Sequence, residues 1–401
     1  MEVTRDWKQT SLRHELELLY GKGLPASARV AGAVPVYGSN GVVGSHNKSL
    51  VDGPGIIVGR KGSVGEVAFS DGPFWPIDTT YYVSNRGGND WRFLYFLLQH
   101  LQLTGLNSHS TVPGLNRESV YSIDWAFPPE DEQEKIAAVL WKIQKALEVE
   151  DAIVRTARDL KKSLLRRLFS HGLRGEPLKE TEIGPVPESW LEKPLGELVE
   201  IEYGAQAAVA SALSPTIGAP ILTNINISNE GRIDFSTLRY YSVPPKKRER
   251  LILRKGDVLF NWRSGSKSHI GKTAIFNADG EYTYSSFILR FRTKGEITSE
   301  YLCYYFYFIK SEGFFTQRGN VSSINNVYNA SLAATIPVAH PSLSEQREIA
   351  EVLQTADRKI DIHEFKKRSL QELFKTMLDK LMTAQIRVND LEIDTSEIGV
   401  G

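Results

Sequence analysis

Sulfur is scarce in this chain: among 401 residues there are three methionines and one cysteine, Cys303. A single thiol can form neither an internal disulfide nor a cysteine-built zinc site. It lies in the aromatic stretch Tyr301-Leu302-Cys303-Tyr304-Tyr305-Phe306, which reads as core rather than as a nucleophile's setting. No apolar run approaches the roughly 20 residues that span a bilayer. The start, Met1-Glu2-Val3-Thr4-Arg5-Asp6-Trp7, lacks the regions of a secretion signal, so a cytoplasmic protein is expected. Excess charge is missing too, with 48 basic against 48 acidic residues. That balance argues against a polyanion binder held by bulk charge.

Catalytic signatures are also lacking. There is no Gly-x-x-x-x-Gly-Lys-Ser/Thr loop and no His-Glu-x-x-His pair. Gly59, Gly62 and Gly65 imitate a phosphate loop, but Arg60 and Lys61 intervene and no helix start follows, so a β-turn is the better reading. Pro128-Pro129 and Pro244-Pro245 lack the Asp/Asn before and the aromatic after that an adenine methyltransferase turn requires. The eight histidines are scattered without metal-ligand spacing. Neither a catalytic centre nor a metal or cofactor site is expected in this chain.

The chain does contain a repeat of itself. Glu132-Gln133-Glu134-Lys135-Ile136-Ala137-Ala138-Val139-Leu140 matches Glu345-Gln346-Arg347-Glu348-Ile349-Ala350-Glu351-Val352-Leu353 at six of nine positions, an offset of 213. Thr181-Glu182-Ile183-Gly184 recurs as Ser396-Glu397-Ile398-Gly399. A weaker repeat, offset by 183, sets Trp7, Leu12, Tyr20 and Gly21 against Trp190, Leu195, Tyr203 and Gly204. Beyond it the two halves align only at one turn, Ile56–Gly65 against Val258–Arg263 with Ile270-Gly271-Lys272.

The repeated blocks read as long helices with a coiled-coil seam. In the first, positions 136 to 168 in 4-3 steps are Ile136, Leu140, Ile143, Leu147, Glu150, Val154, Ala157, Lys161, Leu164 and Leu168. In the second they are Ile349, Leu353, Ala356, Ile360, His363, Lys367, Leu370, Phe374, Met377 and Leu381. Eight of ten are apolar in each set. Pro128-Pro129 precedes one helix, Ser344 is the expected N-cap of the other, and Gly172 ends the first. About 40 residues at 1.5 Å each make a rod of roughly 60 Å. Neither seam can be buried alone, so antiparallel pairing about a pseudo-two-fold axis near residue 152 is expected. Glu150 then faces Lys367, a pair suited to holding register, and His363 lies near Val154. The segment 387–401 copies the linker after the first helix and should close the chain near its own start.

Block one (1–127) and block two (188–340) each show β-prone runs with glycine turns, then an aromatic helix, near 90–103 and from Ser299 to about Glu312. The expected division is therefore 1–127, 128–187 (first helix and linker), 188–340, and 341–401 (second helix and tail). The expected class is α+β: two mixed α/β blocks separated by two long antiparallel helices in a near-circular chain.

Candidate nucleic-acid contacts lie in both blocks. Lys246, Lys247, Arg248, Arg250, Arg254, Lys255, Arg263, Lys267 and Lys272 are set against Glu249 and Asp257 and interleaved with Trp262. Such a patch suits phosphates, with arginine available for base edges. Block one offers Arg60 and Lys61 with Asn40 and His46. The first helix ends strongly basic (Arg155, Arg158, Lys161, Lys162, Arg166, Arg167, Arg174), over more than the last turn that its dipole explains; subunit docking and DNA-backbone contact both stay open.

The block order, the start Pro128-Pro129-x-x-Glu132-Gln133-x-x-Ile136-Ala137 and the linker Glu182-Ile183-Gly184-Pro185-Val186-Pro187-x-x-Trp190 resemble the specificity subunit of type I restriction-modification systems over essentially the whole chain. The second start departs from the pattern with His340-Pro341-Ser342 in place of Pro-Pro. The resemblance implies two target recognition domains, each reading half of a bipartite, asymmetric site in double-stranded DNA. It implies helices that set the spacing and dock two methyltransferase subunits, with restriction/translocase subunits completing the complex. S-adenosylmethionine, ATP and magnesium would belong to those partners. The alternatives from the residues alone are a coiled-coil scaffold with two protein-binding heads and a methyltransferase or nuclease fragment, which the missing motifs disfavour.

Overall fold

The computed structural model describes residues 6–106, 114–206, 213–214, 217–264, 269–317 and 326–396. Two compact units form: residues 1–153 with 363–401, and residues 154–362. Each takes one block and part of both long helices, Glu130–His171 and Leu343–Met382, so the units cut across the helix segments expected as separate divisions. No helix among the described residues is long and apolar enough to cross a membrane.

In the first unit a four-stranded antiparallel sheet runs Leu16–Tyr20, Thr80–Asn85, Gly55–Gly59, Val67–Ser70. A smaller sheet joins Gly41–His46, Val34–Gly38 and Trp75–Pro76, and Lys8–Ser11 pairs with Asp124–Phe127. The second unit repeats the plan. Its main sheet runs Val199–Tyr203, Ile288–Thr293, Val258–Asn261, Thr273–Ile275, and Leu191–Pro194 pairs with Pro337–His340. The weak 183-residue repeat is thus a repeat of topology. Leu12 and Leu195 each open a one-turn helix, and Tyr20 and Tyr203 each end the first strand of the main sheet. After each tyrosine comes a glycine under a crossing backbone: a Cβ on Gly21 would sit 2.2 Å from Ile77 O, and one on Gly204 2.2 Å from Ser285 O. Only glycine fits either crossing.

The alignable turn holds as well. Gly65 N donates to Gly59 O (2.8 Å) and Gly271 N to Asn261 O (3.0 Å), with positive φ at Gly65 and Gly271. The glycine triplet is therefore a strand-end turn.

The aromatic helices are Trp91–His100 and Ser299–Ser311, capped by Asp90 and Thr298, whose side chains accept from Phe93 N and Tyr301 N. Phe93, Phe96 and Leu97 are buried with Ile56, Val58 and Leu16 in the first core; Tyr301, Tyr305 and Phe306 are buried with Val258, Phe260 and Phe291 in the second. Cys303 is buried in the second helix, and burial pushes its thiol up to about 12, as befits a core thiol.

The seam pairs antiparallel in both units. Ile136 and Leu140 share the first core with Leu381 and Met382, while Leu168 shares the second with Ile349 and Leu353. Burial of such side chains stabilises by about 1.5–3 kcal/mol each. Val154 and Ile360 are buried; Ile143, Leu147, Leu164, Leu370 and Phe374 are half-buried. The polar seam positions pair differently from expectation. Glu150 Oε2 meets His363 Nδ1 at 2.6 Å, and Lys367 bonds Asp151 instead. His363 lies one turn before Lys367 on the same face, so it reaches Glu150 while the longer lysine swings to the adjacent carboxylate. Lys161 pairs with Asp357 Oδ1 (2.5 Å), whose other oxygen accepts from Tyr304 OH at 2.7 Å. The second helix begins at Leu343, so its cap is Ser342, whose Oγ accepts from Glu345 N; Ser344 lies inside the first turn. Gly172, with φ of +61°, ends the first helix as expected.

The repeated Glu-Gln pair explains itself in the structure. Gln133 Oε1 accepts from Asp90 N (3.0 Å) and Gln346 Oε1 from Thr298 N (2.8 Å); each Nε2 donates to the proline carbonyl before its helix, Pro128 or Pro341. Each glutamine thus ties a long helix to the N-cap of its unit's aromatic helix. The glutamates hold the arriving end of the other long helix. Glu132 accepts from Arg387 Nε (2.7 Å) and Nη2 (2.8 Å) and from Trp7 Nε1 (3.0 Å). Glu345 accepts from Arg174 Nε (3.1 Å) and Leu173 N (3.2 Å). Arg387 also bonds Asp6, so the tail closes onto the start of block one as expected. The tail's repeat at Glu397-Ile398-Gly399 lies outside the described residues.

Candidate nucleic-acid interface

The candidate contacts of the first unit cluster at one end of its main sheet. Tyr20, Tyr81 and Val58 are opposite one another, and Arg60 comes two residues past Val58. Arg60 is anchored through Nε (3.1 Å) and Nη2 (2.6 Å) to Asp78 O, with its guanidinium 5.3 Å from the Tyr20 ring centroid. Arg117, a residue the sequence reading missed, lies 4.7 Å over the same ring, and its Nη1 donates to Leu18 O at 3.3 Å. Tyr20 itself is 54% exposed. Burial pushes the neighbouring Tyr81 hydroxyl up to about 12, against the pull of both guanidiniums, so Tyr81 stays neutral. Lys61 and Asn40 are exposed; Asn40 lines a shallow 190 Å³ cavity with Gly38, Gly59 and Glu66. His46 does not belong with them. It is buried, its Nδ1 accepts from Val30 N at 3.0 Å, and its ring meets Trp75 edge-on. Its polarity serves the fold rather than a base edge.

The equivalent end of the second unit carries other residues. Tyr203, Leu289 and Phe260 are opposite, and Trp262 holds the place that Arg60 takes in the first unit. Trp262 Nε1 donates to Ser286 O (2.7 Å), and its ring meets Tyr203 edge-on at 5.4 Å. Arg263 lies 5.7 Å from the centroid of Phe287, which is 43% exposed. These four residues, with Gln206 and Ser286, line a 410 Å³ cavity.

The linear basic run is less positive in space than in sequence. Arg248 pairs with Glu281, Arg250 with Glu202 (3.5 Å) and Lys255 with Asp279 (2.6 Å), carboxylates that the run itself does not contain. Lys246 and Lys247 are exposed in the turn Pro245–Lys247. Lys272 is buried, donates to Ile227 O at 3.1 Å and is depressed by that burial, so it is structural. Lys267 lies outside the described residues. In the basic end of the first long helix, Lys161, Arg166 and Arg174 are committed to Asp357, Glu312 and Glu345, while Lys162 and Arg167 are exposed. Among the described residues no group of three His, Cys, Asp or Glu is arranged to hold a metal ion.

Comparison with known proteins points one way. The profile described as type I restriction modification DNA specificity domain matches residues 10–154 and 187–372. The MjaVIII type I restriction enzyme specificity subunit of Methanocaldococcus jannaschii is 24% identical over 288 residues, 70% of this chain and 66% of that protein. The StySPI specificity subunit of Salmonella potsdam is 27% identical over 211 residues, 51% of this chain and 44% of its own length. The crystal structure of the type I system S subunit from M. genitalium superposes with a TM-score of 0.66 at 18% identity, over 94% of this chain and 96% of that one, and so shares the fold. The matched profile spans the main sheets of both units and most of both long helices, and the chain belongs to the type I restriction-modification DNA specificity family, as a specificity subunit.

Proposed function

We propose that this chain is the non-catalytic address reader of a type I complex in the cytoplasm, each block recognising one half of a bipartite, asymmetric site in double-stranded DNA. The two long helices set the unread gap and dock two methyltransferase subunits; restriction/translocase subunits complete the assembly. S-adenosylmethionine, ATP and magnesium are used by those partners. One observation carries the reading: the two units share a sheet topology yet present unlike side chains at equivalent strand ends, Arg60 where the other has Trp262. One scaffold with two different reading surfaces suits two different half-sites. Zero net charge fits a chain whose partners supply part of the phosphate clamp, with steep salt dependence for the assembled complex.

The test is to produce the chain with its methyltransferase subunits in a host free of other modification and to sequence the modified bases. Two unlike half-sites separated by unspecified bases are expected; a palindrome refutes the reading. Deleting one heptad from each long helix removes about 10 Å of rise, or about 3 base pairs at 3.4 Å. The gap should shorten and both half-sites persist.

A further inference from the structure

We propose that base reading is done by the strand-end aromatic–arginine clusters, Tyr20 with Arg60 and Arg117 in the first unit and Phe287 with Arg263 and Gln206 in the second, while the exposed Lys246-Lys247 turn touches only phosphate. The inference rests on the DNA-reading function above and deepens it. Three observations converge on these clusters.

The first is position. In each unit the cluster sits at the sheet end where the first strand of the main sheet and a central strand end together; Arg263 comes one residue after Trp262, which holds the place of Arg60, and Phe287 directly precedes the strand Ile288–Thr293. The second is exposure. Tyr20 and Phe287 present large rings to solvent (54% and 43%) beside guanidiniums, an arrangement a protein core has no use for. The third is charge that is fixed and unspent. Arg60 and Arg117 are held by carbonyl oxygens rather than by acids, and among the described residues no carboxylate pairs with either, nor with Arg263. An arginine fork immobilised in advance loses less side-chain entropy when it engages a planar acceptor. The arginines of the linear run are the contrast: Arg248 and Arg250 already face Glu281 and Glu202.

The side-chain chemistry then sets the base preferences. A guanidinium pairs with the O6 and N7 of guanine, an amide with the N6 and N7 of adenine, and an aromatic ring packs on the thymine methyl. Two arginines around Tyr20 predict guanine in the half-site of the first unit. Arg263, Gln206 and Phe287 predict a mixed half-site, with guanine beside an A·T pair.

Charge-preserving variants test this in the intact complex with its methyltransferase subunits, the readout being the methylated motif. Arg117→Lys should relax one base pair of one half-site by about 5- to 150-fold, with the other half unchanged; Arg263→Lys should do so in the opposite half only. Phe287→Leu, a change at an exposed ring, should weaken selection for thymine in the same half as Arg263→Lys. Melting temperature and co-purification with the methyltransferase confirm that each variant folds and assembles. An unchanged motif in all three variants overturns the proposal, as does a loss of activity uniform across sequences, which would mark phosphate contacts. A wild-type motif that is not bipartite would instead refute the underlying function, independently of how the variants behave.

Discussion

Removing the carboxylate of Glu132 should loosen the first unit and leave the second intact. Its side chain is 1% exposed and receives two bonds from Arg387 and one from the Trp7 indole. Removing one member of a buried charge pair typically costs about 3–5 kcal/mol. Glu132→Ala belongs near 3 kcal/mol, on the order of the lower limit, because Arg387 is partly solvated and keeps Asp6. Arg387→Ala belongs near the upper limit, about 5 kcal/mol, because it strands a carboxylate whose remaining donors among the described residues are Trp7 Nε1 and Val388 N. The double variant leaves no orphan charge, so it should be less destabilised than the sum of the singles by about 2 kcal/mol or more. For a unit of this size each kcal/mol lowers the melting temperature by roughly 2–4 °C. The two units need not unfold together, so the assay is hydrogen exchange resolved by peptide, following residues 6–20 and 380–390 against 190–203 and 343–353. Glu345→Ala is the mirror experiment and should loosen only the second unit. Additive singles, or exchange that rises equally in both units, would refute the role assigned to the repeated glutamate.

Gln133→Leu should deprotect the start of the helix Trp91–His100 and cost about 2–4 kcal/mol, since Asp90 N, Asn89 Oδ1 and Pro128 O lose their partner together; unchanged exchange at 90–95 would sink this. Lys310 is pushed down to about 8, chiefly by burial and then by Lys272, against an ordinary value of 10.5. The unfolded chain therefore binds the extra proton between those values, stability of the second unit should rise with pH across that window, and Lys310→Met should abolish the rise and gain on the order of 1 kcal/mol below pH 8, solvent screening of the partly exposed ammonium reducing the effect; chemical unfolding at pH 7.5 and 10 reads the sign. Lys161→Met should weaken the second unit by about 1–3 kcal/mol because Asp357 is left, among the described residues, with Tyr304 OH, and Lys161→Met with Asp357→Leu should recover most of it in the same unfolding measurement. Lys246→Ala with Lys247→Ala should lower the salt slope of DNA binding by the assembled complex by about 2, near 0.9 per phosphate contact, with the methylated motif unchanged; a changed motif would contradict the assignment of these lysines to phosphate.

The sequence by itself determined the scaffold. Its 213-residue repeat, 4-3 apolar spacing and glycine stop at Gly172 specified two long helices and a shared antiparallel seam, because helix periodicity and caps are local properties that survive in one dimension. The 183-residue repeat matched Tyr20-Gly21 to Tyr203-Gly204, and the structure shows what the match is: the end of the first strand of each main sheet, with a glycine under a crossing backbone. The seam's polar pairing was beyond that reach: Glu150 has His363, Asp151 and Lys367 within a turn of one another, and side-chain reach, not register, chose among them. So was the worth of each candidate contact. Burial removed His46 and Lys272, and carboxylates outside the run, Glu281, Glu202 and Asp279, neutralised Arg248, Arg250 and Lys255, while Arg117 arrived over the Tyr20 ring and Phe287 came to lie beside Arg263. Charge and exposure depend on neighbours far apart in sequence, so only the tertiary structure could decide them.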